Sequence, residues 1–343
     1  MKNIIDLRSD TLTKPSDEMR KAMYEAEVGD DVYKEDPTVN RLEKFASEIL
    51  GKEAALYVPS GTMGNQISLN VLTKPGDEVI CEKDAHIFQY ESGSPAALSG
   101  IMLSLVDGVR GVFTPDQVEP LIRPVSAYYM ARSRVIEIEN THNRAGGTIN
   151  PIENIAAVSA LGKKYNLYMH LDGARIWNAS VATGISPAEY AKHFDSVSCC
   201  LSKGLGAPIG SLIAGTKDFI QEAYRVRKGW GGGMRQAGIL AAAGLYALKN
   251  NIERLKEDHE KAETLAKKLA AIPGVSVDME SVQTNIVMFT QSKLSVEDFL
   301  SKCSENGLKL GTGKVGVIRA VTHMDVSLNE MTDAAHLIEK IMN

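Results

Sequence analysis

The sequence predicts an α/β protein with a mostly parallel sheet, followed by a smaller α+β unit at the C-terminus. Three observations support this prediction. Short runs rich in Val, Ile and Leu alternate with helix-like stretches, as βαβ units require. The alternation stops near Met234, where a long helical run begins. The 343 residues suffice for two domains at about 150 residues per domain.

Six apolar runs have the length and composition of strands. They are AALYV from Ala54, EVICEK from Glu78, GIMLSLV from Gly100, SRVIEIEN from Ser133, NLYMHLD from Asn166 and DSVSCCLS from Asp195. Helix-like stretches such as TPDQVEPLIR from Thr114 and PIENIAAVSALGKKY from Pro151 lie between most of them. Because strands joined through helices run parallel, we expect a sheet with helices on both faces.

The C-terminal part has a different pattern. One connecting helix is predicted from about Met234 to the Pro273-Gly274 turn. Strand-like VSVDM and NIVMFT, a helix from Ser295, strand-like VGVIRAV and a last amphipathic helix follow. We therefore expect a large domain over residues 1–250 and a small α+β domain over residues 251–343.

Composition and charge exclude several classes of protein. A net charge of −5 gives no electrostatic reason to expect a nucleic-acid partner. The charged N-terminus does not have the pattern of a secretion signal, and no apolar run is long enough to predict a membrane span. The four cysteines have no CxxC spacing, so we interpret them as reduced thiols of a cytoplasmic protein. The histidines are scattered, so we expect no metal site.

A first candidate site is PSGTMGNQ, from Pro59, between a strand-like and a helix-like run. A small-residue turn at a helix N-terminus offers backbone N–H groups and the positive helix dipole to an anion, so a phosphate fits at Gly61 and Thr62. The motif is neither a Walker loop nor GxGxxG, and by itself it is also compatible with a simple helix cap.

A second candidate site is HLDGAR, in which Asp172 ends an apolar strand. Ligands of open α/β sheets bind beyond the carboxyl ends of the strands. A carboxylate at that point needs a cationic partner. Either Arg175 supplies it in a salt bridge, or a protonated ring nitrogen of a cofactor does; the fragment leaves both open.

A third candidate is Lys203, which follows the apolar SVSCCL run in a turn of small residues. Burial of an amine favours its neutral form and Schiff-base chemistry. Asp172 lies 31 residues upstream, the length of one strand–helix–strand crossover. A phosphate site, a carboxylate for the ring nitrogen and a lysine that holds the aldehyde as an imine are what pyridoxal phosphate requires.

Weaker signals come from single residues in loops. His86 follows a strand and is able to stack on a flat cofactor, and Arg319 is able to bind a carboxylate bidentately. Arg235 follows a glycine-rich turn, and His142 and Asn143 follow another strand. Taken alone, a loop histidine such as His86 is more often an unremarkable residue, and an arginine such as Arg319 is more often a surface charge.

Long motifs in matching order resemble the low-specificity L-threonine aldolases. These motifs are DLRSDTLTKPSDEMR, VGDDVYKEDPTVNRLE, VPSGTMGNQ, DAHIFQYE, ENTHNRAGG, HLDGARIWNAS, LSKGLGAPIGS, GGGMRQAGILAAAG and IRAVTH. The resemblance implies an aspartate-aminotransferase-like (fold type I) enzyme with a seven-stranded sheet, dependent on pyridoxal phosphate. It also implies a homotetramer, a dimer of dimers with active sites shared between subunits.

The resemblance also implies roles for individual residues. Lys203 would hold the cofactor, Asp172 its pyridine nitrogen, and Gly61 and Thr62 its phosphate. His86 would stack on the ring. The remaining roles are Arg175 near the ring oxygen and the substrate carboxylate, Ser9 and Arg319 on that carboxylate, and Lys228 and Arg235 on a neighbouring subunit's cofactor phosphate.

The chain departs from the family pattern in one loop. Where many members have a histidine, in a stretch such as IHFPR, this chain has AYYMA with Tyr128 at the aligned position. In the family that side chain lies near the substrate β-hydroxyl. The preference between threonine and allo-threonine is therefore open here, because a phenol still donates a hydrogen bond but is a poor base at neutral pH.

The expected reaction is retro-aldol cleavage of L-threonine or L-allo-threonine to glycine and acetaldehyde, with His86 as the leading candidate base. It would serve threonine catabolism and glycine biosynthesis. The alternatives are β-elimination or transamination on the same scaffold, and a non-catalytic protein that retains only the fold. The complete set of phosphate turn, carboxylate and lysine favours an enzyme.

Overall fold

A computed structural model describes residues 4–343 as two layered α/β regions. The strands are β1 Ile5–Asp6, β2 Ala54–Val58, β3 Asp77–Glu82, β4 Met102–Val106, β5 Arg132–Glu139, β6 Tyr168–Asp172, β7 Ser196–Cys200, β8 Ser211–Gly215, β9 Val275–Val277, β10 Ile286–Gln291, β11 Leu308–Lys309, β12 Gly311–Thr312 and β13 Ile318–Val321. The α-helices are α1 Asp17–Tyr24, α2 Pro37–Leu50, α3 Gly61–Leu72, α4 His86–Gln89, α5 Ser94–Ser99, α6 Pro115–Val118, α7 Ile152–Lys164, α8 Ile176–Thr183, α9 Pro187–Ala191, α10 Lys217–Gly229, α11 Gly238–Asn250, α12 Leu255–Ala270, α13 Val296–Glu305 and α14 Leu328–Met342.

The large region is built on a seven-stranded sheet in the order β2-β8-β7-β6-β5-β3-β4. The five strands from β7 to β4 pair in parallel, as the alternation of strands and helices predicts. One apolar cluster lies on each face, so helices cover both faces and bury the strands. The carboxyl ends of the parallel strands thus form one edge, where the candidate residues come together.

The sequence analysis did not predict β8. All five of its residues are buried, and it pairs antiparallel with β7 and with β2. The connection from β7, residues 201–210, is too short for a crossover helix, so the chain turns back antiparallel. This connection contains Lys203, and the tight turn therefore holds that residue at the sheet edge.

Helix ends follow local signals. The side chain of Asp36 caps α2 by accepting the backbone N–H groups of Thr38 and Val39, and Gly51 ends the helix with a φ of 60°. Helix α14 begins with a capping box in which Ser327 and Glu330 exchange hydrogen bonds with the backbone.

The prediction of one continuous connecting helix is wrong. The chain breaks between α11 and α12, and the break faces the lysine turn. Asn251 ends α11 and donates its side-chain amide to the carbonyl of Leu205 at 2.7 Å. Arg254, just before α12, donates to the carbonyl of Gly204 at 3.2 Å. The two polar side chains thus satisfy two backbone carbonyls of the lysine turn.

The C-terminal region has its own apolar cluster, formed by α12, α13, α14 and the sheet β12-β13-β10-β9. The short strand β1 also pairs with β11 of this region, so the N-terminal segment crosses to it. The boundary predicted at residues 250 and 251 falls in the break after α11 and stays a prediction. Within residues 4–343, every helix is too short or too polar to span a bilayer.

Candidate functional site

The site lies at the carboxyl edge of the large sheet. Asp172 is the last residue of β6, and Lys203 lies three residues beyond the end of β7. His86 begins the short helix α4 after β3. The first turn of α3 packs directly against β7. A Cβ added to Gly64 would lie only 2.7 Å from the Oγ atom of Ser198 in β7. The fold therefore brings the three predicted clusters to one place.

The N-terminus of α3 forms an anion cradle. Ser60 caps the helix by accepting the backbone N–H of Met63 at 3.1 Å. The N–H groups of Gly61 and Thr62 precede the first intrahelical hydrogen bond and point out of the helix end. A Cβ at Gly61 would lie 2.7 Å from Cys200 Sγ, so only glycine lets the helix start this close to the end of β7. This geometry suits a phosphate.

Asp172 is a buried carboxylate. Its Oδ2 accepts the side-chain amide of Asn65 at 2.7 Å, and its Oδ1 accepts the backbone N–H of Ala174 at 3.0 Å. Burial raises its pKa, but the positive charges of His86 and Lys203, together with these hydrogen bonds, outweigh burial and hold the pKa below its usual value. Asp172 is therefore charged and able to pair with a cation.

Lys203 presents a free amine. Within residues 4–343, its Nζ has neither a hydrogen bond nor an ion pair. Its backbone is well held, since its carbonyl accepts the Thr13 hydroxyl at 2.9 Å and the Gly206 N–H at 2.9 Å. The positions of the backbone and of the unpaired amine suit covalent attachment of an aldehyde.

Arg175 does not pair with Asp172, so that alternative is excluded. Its Nε and Nη2 donate instead to Asp10, at 2.8 and 2.7 Å, and both residues are buried. Burial raises the pKa of Asp10, but the Arg175 guanidinium outweighs it and holds that pKa well below its usual range. Asn285 also donates to Asp10, at 3.2 Å. Asp10 therefore fixes the direction of the Arg175 guanidinium.

Arg319 lies close to Arg175 and keeps donors free. Its Nη1 donates to Asn143 Oδ1 at 2.9 Å and its Nη2 donates to the Arg8 carbonyl at 3.2 Å. Its buried Nε has no acceptor within the described residues. Burial and the charge of Arg175 lower its pKa. Ser9 Oγ accepts the backbone N–H of Thr11 at 3.1 Å and the Thr11 hydroxyl at 2.8 Å. The guanidinium groups of Arg175 and Arg319 suit a carboxylate ligand.

His86 faces the same space with one edge of its ring. Its Nδ1 lies 2.8 Å from Glu91 Oε1, and its backbone N–H donates to Glu139 Oε2 at 2.8 Å. Burial lowers its pKa, but the hydrogen bond to Glu91 and the charges of Asp172 and Glu139 outweigh burial and raise that pKa. The side chain stays 28% exposed, which leaves the ring accessible from the site.

Three predicted residues are exposed, and no hydrogen bond within residues 4–343 joins their side chains to this cluster. Lys228 and Arg235 are exposed, and Arg235 forms an ion pair with Asp30 at 2.9 Å. Tyr128 is 94% exposed, on the loop before β5. That loop is at the amino end of β5, whereas Lys203 and Asp172 follow the carboxyl ends of their strands. Within one subunit, Tyr128 therefore does not reach the site.

Comparison with known proteins agrees with this geometry. A family model of the beta-eliminating lyases matches residues 6–292. The chain is 42% identical to low-specificity L-threonine aldolase 1 of Arabidopsis thaliana, over 95% of this chain and 93% of the relative. The chain belongs to the low-specificity L-threonine aldolase family. The Escherichia coli K12 low specificity L-threonine aldolase is 41% identical over 97% of both chains.

The threonine aldolase fold is also found by structural comparison. A threonine aldolase of Leishmania major superposes with a TM-score of 0.86 at 18% identity, covering 99% of this chain and 100% of that one. The comparison confirms the predicted aspartate-aminotransferase-like fold. The family of threonine aldolases and beta-eliminating lyases depends on pyridoxal phosphate and acts on small molecules, and this chain is an aldehyde-lyase of that kind.

The residues of the site fit pyridoxal phosphate. The free amine of Lys203 suits the aldehyde, the charged Asp172 suits the ring nitrogen, and the first turn of α3 suits the phosphate. The close approach of Gly61 to Cys200 brings this helix start to the same sheet edge as Lys203.

Sequence reasoning missed three residues of the site. Asp10, Asn65 and Glu91 hold Arg175, Asp172 and His86, respectively, each through a hydrogen bond. All three lie inside the motifs that resemble the threonine aldolases. Membership in those motifs is the sequence signal that could have pointed to them. Their partners could not be read from the sequence because most of these bonds join segments distant along the chain.

Proposed function

We propose that this chain cleaves L-threonine, L-allo-threonine and related β-hydroxy-α-amino acids by a retro-aldol reaction. The products are glycine and acetaldehyde, or the corresponding aldehyde. The observation on which the proposal rests is the unpaired amine of Lys203 facing the charged Asp172 at the sheet edge. In the cell, such a reaction serves threonine catabolism and glycine biosynthesis. The buried, unpaired thiols of all four cysteines support a cytoplasmic location.

Each step of the reaction is assigned to particular residues of the site. Arg175, Arg319 and Ser9 bind the substrate carboxylate and so determine which bond on Cα is aligned for cleavage. His86 takes the proton of the β-hydroxyl through Nε2 as the Cα–Cβ bond breaks and the aldehyde leaves. When bound, pyridoxal phosphate accepts the electron pair of that bond, with Asp172 on its ring nitrogen. A proton then returns to Cα to complete glycine.

The exposed residues support a shared site in a homotetramer, a dimer of dimers. Lys228 and Arg235 present cations at the surface, and cations suit a neighbouring subunit's cofactor phosphate. Tyr128 is exposed at the edge of the sheet opposite to Lys203, so we place it in a neighbouring subunit's site, near the substrate β-hydroxyl. Equilibrium sedimentation tests the assembly, and a monomer at working concentration would contradict it.

The test is acetaldehyde release from L-threonine and L-allo-threonine with added pyridoxal phosphate. We expect release by the wild type and none by Lys203→Ala, since that variant cannot attach the cofactor. The visible absorbance of the bound cofactor controls for loading. A loaded enzyme that cleaves neither these substrates nor bulkier β-hydroxy amino acids would contradict the proposal.

The name of the matching family model favours one second candidate, β-elimination. In that reaction a base removes the Cα proton and the β-substituent leaves, so serine would give pyruvate and ammonia. The same preparation distinguishes the two reactions. Pyruvate release that exceeds aldehyde release would favour elimination.

A further inference from the structure

A chain of buried hydrogen bonds connects the ring of His86 to Asp172. Glu91 Oε1 lies 2.8 Å from His86 Nδ1 and accepts the side-chain amide of Asn65 at 2.8 Å. The second hydrogen of that amide goes to Asp172 Oδ2 at 2.7 Å. Gln66 Nε2 donates to the other oxygen of Glu91 at 2.6 Å. Glu91 thus contacts three partners, and its side chain has no exposed surface.

These contacts determine the protonation of the histidine ring. Two side-chain amides already donate to Glu91, which keeps it a carboxylate that only accepts. His86 Nδ1 must therefore carry the hydrogen of its bond to Glu91. Within residues 4–343, Nε2 of His86 has no hydrogen-bond partner. In the neutral ring, this second nitrogen keeps its lone pair.

We propose that Glu91 is a positioning residue that keeps a hydrogen on His86 Nδ1, so that the ring, in its neutral form, presents Nε2 as the proton acceptor, and that Asn65 ties this pair to Asp172. The inference rests on the proposed function, in which His86 takes the β-hydroxyl proton. In the opposite tautomer, Nε2 would carry a hydrogen and could not accept that proton.

The charges around the ring come from several elements. Glu91 lies on its own segment, Glu139 ends β5 and Asp172 ends β6; Lys203 faces Asp172 from the turn after β7. The carboxylates favour the charged ring, yet only Glu91 contacts a ring nitrogen, since Glu139 accepts the backbone N–H of His86. A substitution at Glu139 therefore tests how negative charge affects the His86 ring separately from how the hydrogen bond to Glu91 affects it.

The test is nitrogen NMR of histidine-labelled holoenzyme, in which the nitrogen shifts report the tautomer. His86→Phe assigns the signal among the seven histidines. At a pH high enough for the ring to be neutral, we expect the Nδ1–H form in the wild type and a shift toward Nε2–H in Glu91→Leu, because Nδ1 then has no acceptor. Glu91→Gln keeps an acceptor oxygen and should retain the Nδ1–H form. Glu139→Gln removes a charge, leaves the ring's contact with Glu91 in place, and keeps one oxygen for the backbone N–H of His86, so it should retain the Nδ1–H form too.

Activity gives the second measurement. Glu91→Leu should lower kcat/KM for threonine about 100-fold, the lower range for general-base catalysis, and Glu91→Gln should recover part of it. Visible absorbance and thermal unfolding show whether each variant is loaded and folded. The same tautomer in wild type and Glu91→Leu would overturn the proposal.

If Glu91→Leu does not fold, the wild-type spectrum decides, and an Nε2–H ring refutes the inference. The NMR result does not depend on acetaldehyde release. Failure of the proposed function is therefore distinguishable from failure of this inference.

Discussion

Asp10 and Arg175 form a bidentate ion pair inside the protein, with N–O distances of 2.7 and 2.8 Å and no exposed surface on the Asp10 side chain. The two residues are 165 positions apart in the sequence. Asp10 belongs to the N-terminal segment, and Arg175 begins the turn into α8 on the sheet edge. The pair therefore connects the N-terminal segment to the sheet edge that carries the candidate site.

Replacing Asp10 by Asn should destabilise the protein strongly, since the Arg175 guanidinium would stay buried without a counter-charge. Removing one partner of a buried ion pair costs about 3–5 kcal/mol. Denaturant unfolding measures this loss, and KM for threonine should rise because Arg175 is no longer held. Asp6→Asn is the matched control: the Asp6–Arg8 pair is partly exposed, and exposed pairs contribute at most about 1 kcal/mol. Equal losses of unfolding free energy in Asp10→Asn and Asp6→Asn would show that the buried ion pair stabilises the protein no more than the partly exposed pair does.

Replacing His86 by Phe should separate stacking from proton transfer. The phenyl ring keeps a flat surface for the cofactor but has no nitrogen to accept the β-hydroxyl proton. We expect kcat for threonine to fall by about 100-fold or more while the visible absorbance of the bound cofactor remains. Near-wild-type turnover would exclude His86 as the base.

Tyr128 should affect selectivity without affecting stability. Because its side chain is 94% exposed, Tyr128→Ala should leave the unfolding free energy within about 0.5 kcal/mol of wild type. The ratio of kcat/KM for allo-threonine to that for threonine should change by about tenfold, the size of a single lost contact. Tyr129→Ala, 74% exposed on the same loop, is the control.

Mixed oligomers test whether Tyr128 acts on a neighbouring subunit. Lys203→Ala subunits supply Tyr128 but have no lysine to hold the cofactor. Tyr128→Ala subunits supply the lysine but lack the tyrosine. Co-refolded mixtures should regain wild-type selectivity in part. A mixture with the same selectivity as Tyr128→Ala alone would show that Tyr128 does not act in a neighbouring subunit's site.

Glu137 should make the stability of the protein decrease with rising pH. It is fully buried, and neither carboxyl oxygen has a hydrogen-bond partner within the described residues. Burial, and then the neighbouring carboxylates Asp172 and Glu139, raise its pKa well above the ordinary value of 4.5. The folded state therefore binds this proton more tightly than the unfolded state. The stabilisation is complete below that ordinary value and is lost as the pH rises toward the folded pKa.

Glu137→Gln removes this titration, so its unfolding temperature should decrease less between about pH 5 and 8 than that of the wild type. Scanning calorimetry at several pH values measures the two slopes. Glu78→Gln is a control, because Glu78 is buried but accepts the Ser133 hydroxyl and lies 3.5 Å from Arg123. Identical slopes in wild type and Glu137→Gln would show that Glu137 does not titrate as expected.

Much of the fold followed from the sequence because its signals are local. Apolar runs such as EVICEK and NLYMHLD specify strands, and the helix patterns between them imply parallel pairing. Lys203, Asp172 and Gly61 could be chosen as candidate site residues because each stands near the end of a strand or at the start of a helix, where the chemistry of the residue suits its position.

Only the tertiary structure decided which polar groups meet. The pairing of Arg175 with Asp10 rather than Asp172, and the break after α11 that lets Asn251 reach Leu205, join segments far apart in the chain. Tyr128 lies at the opposite sheet edge because its loop precedes β5. Apolar periodicity is a property of a few neighbouring residues, whereas the partner of a buried polar group depends on the packing of the whole chain.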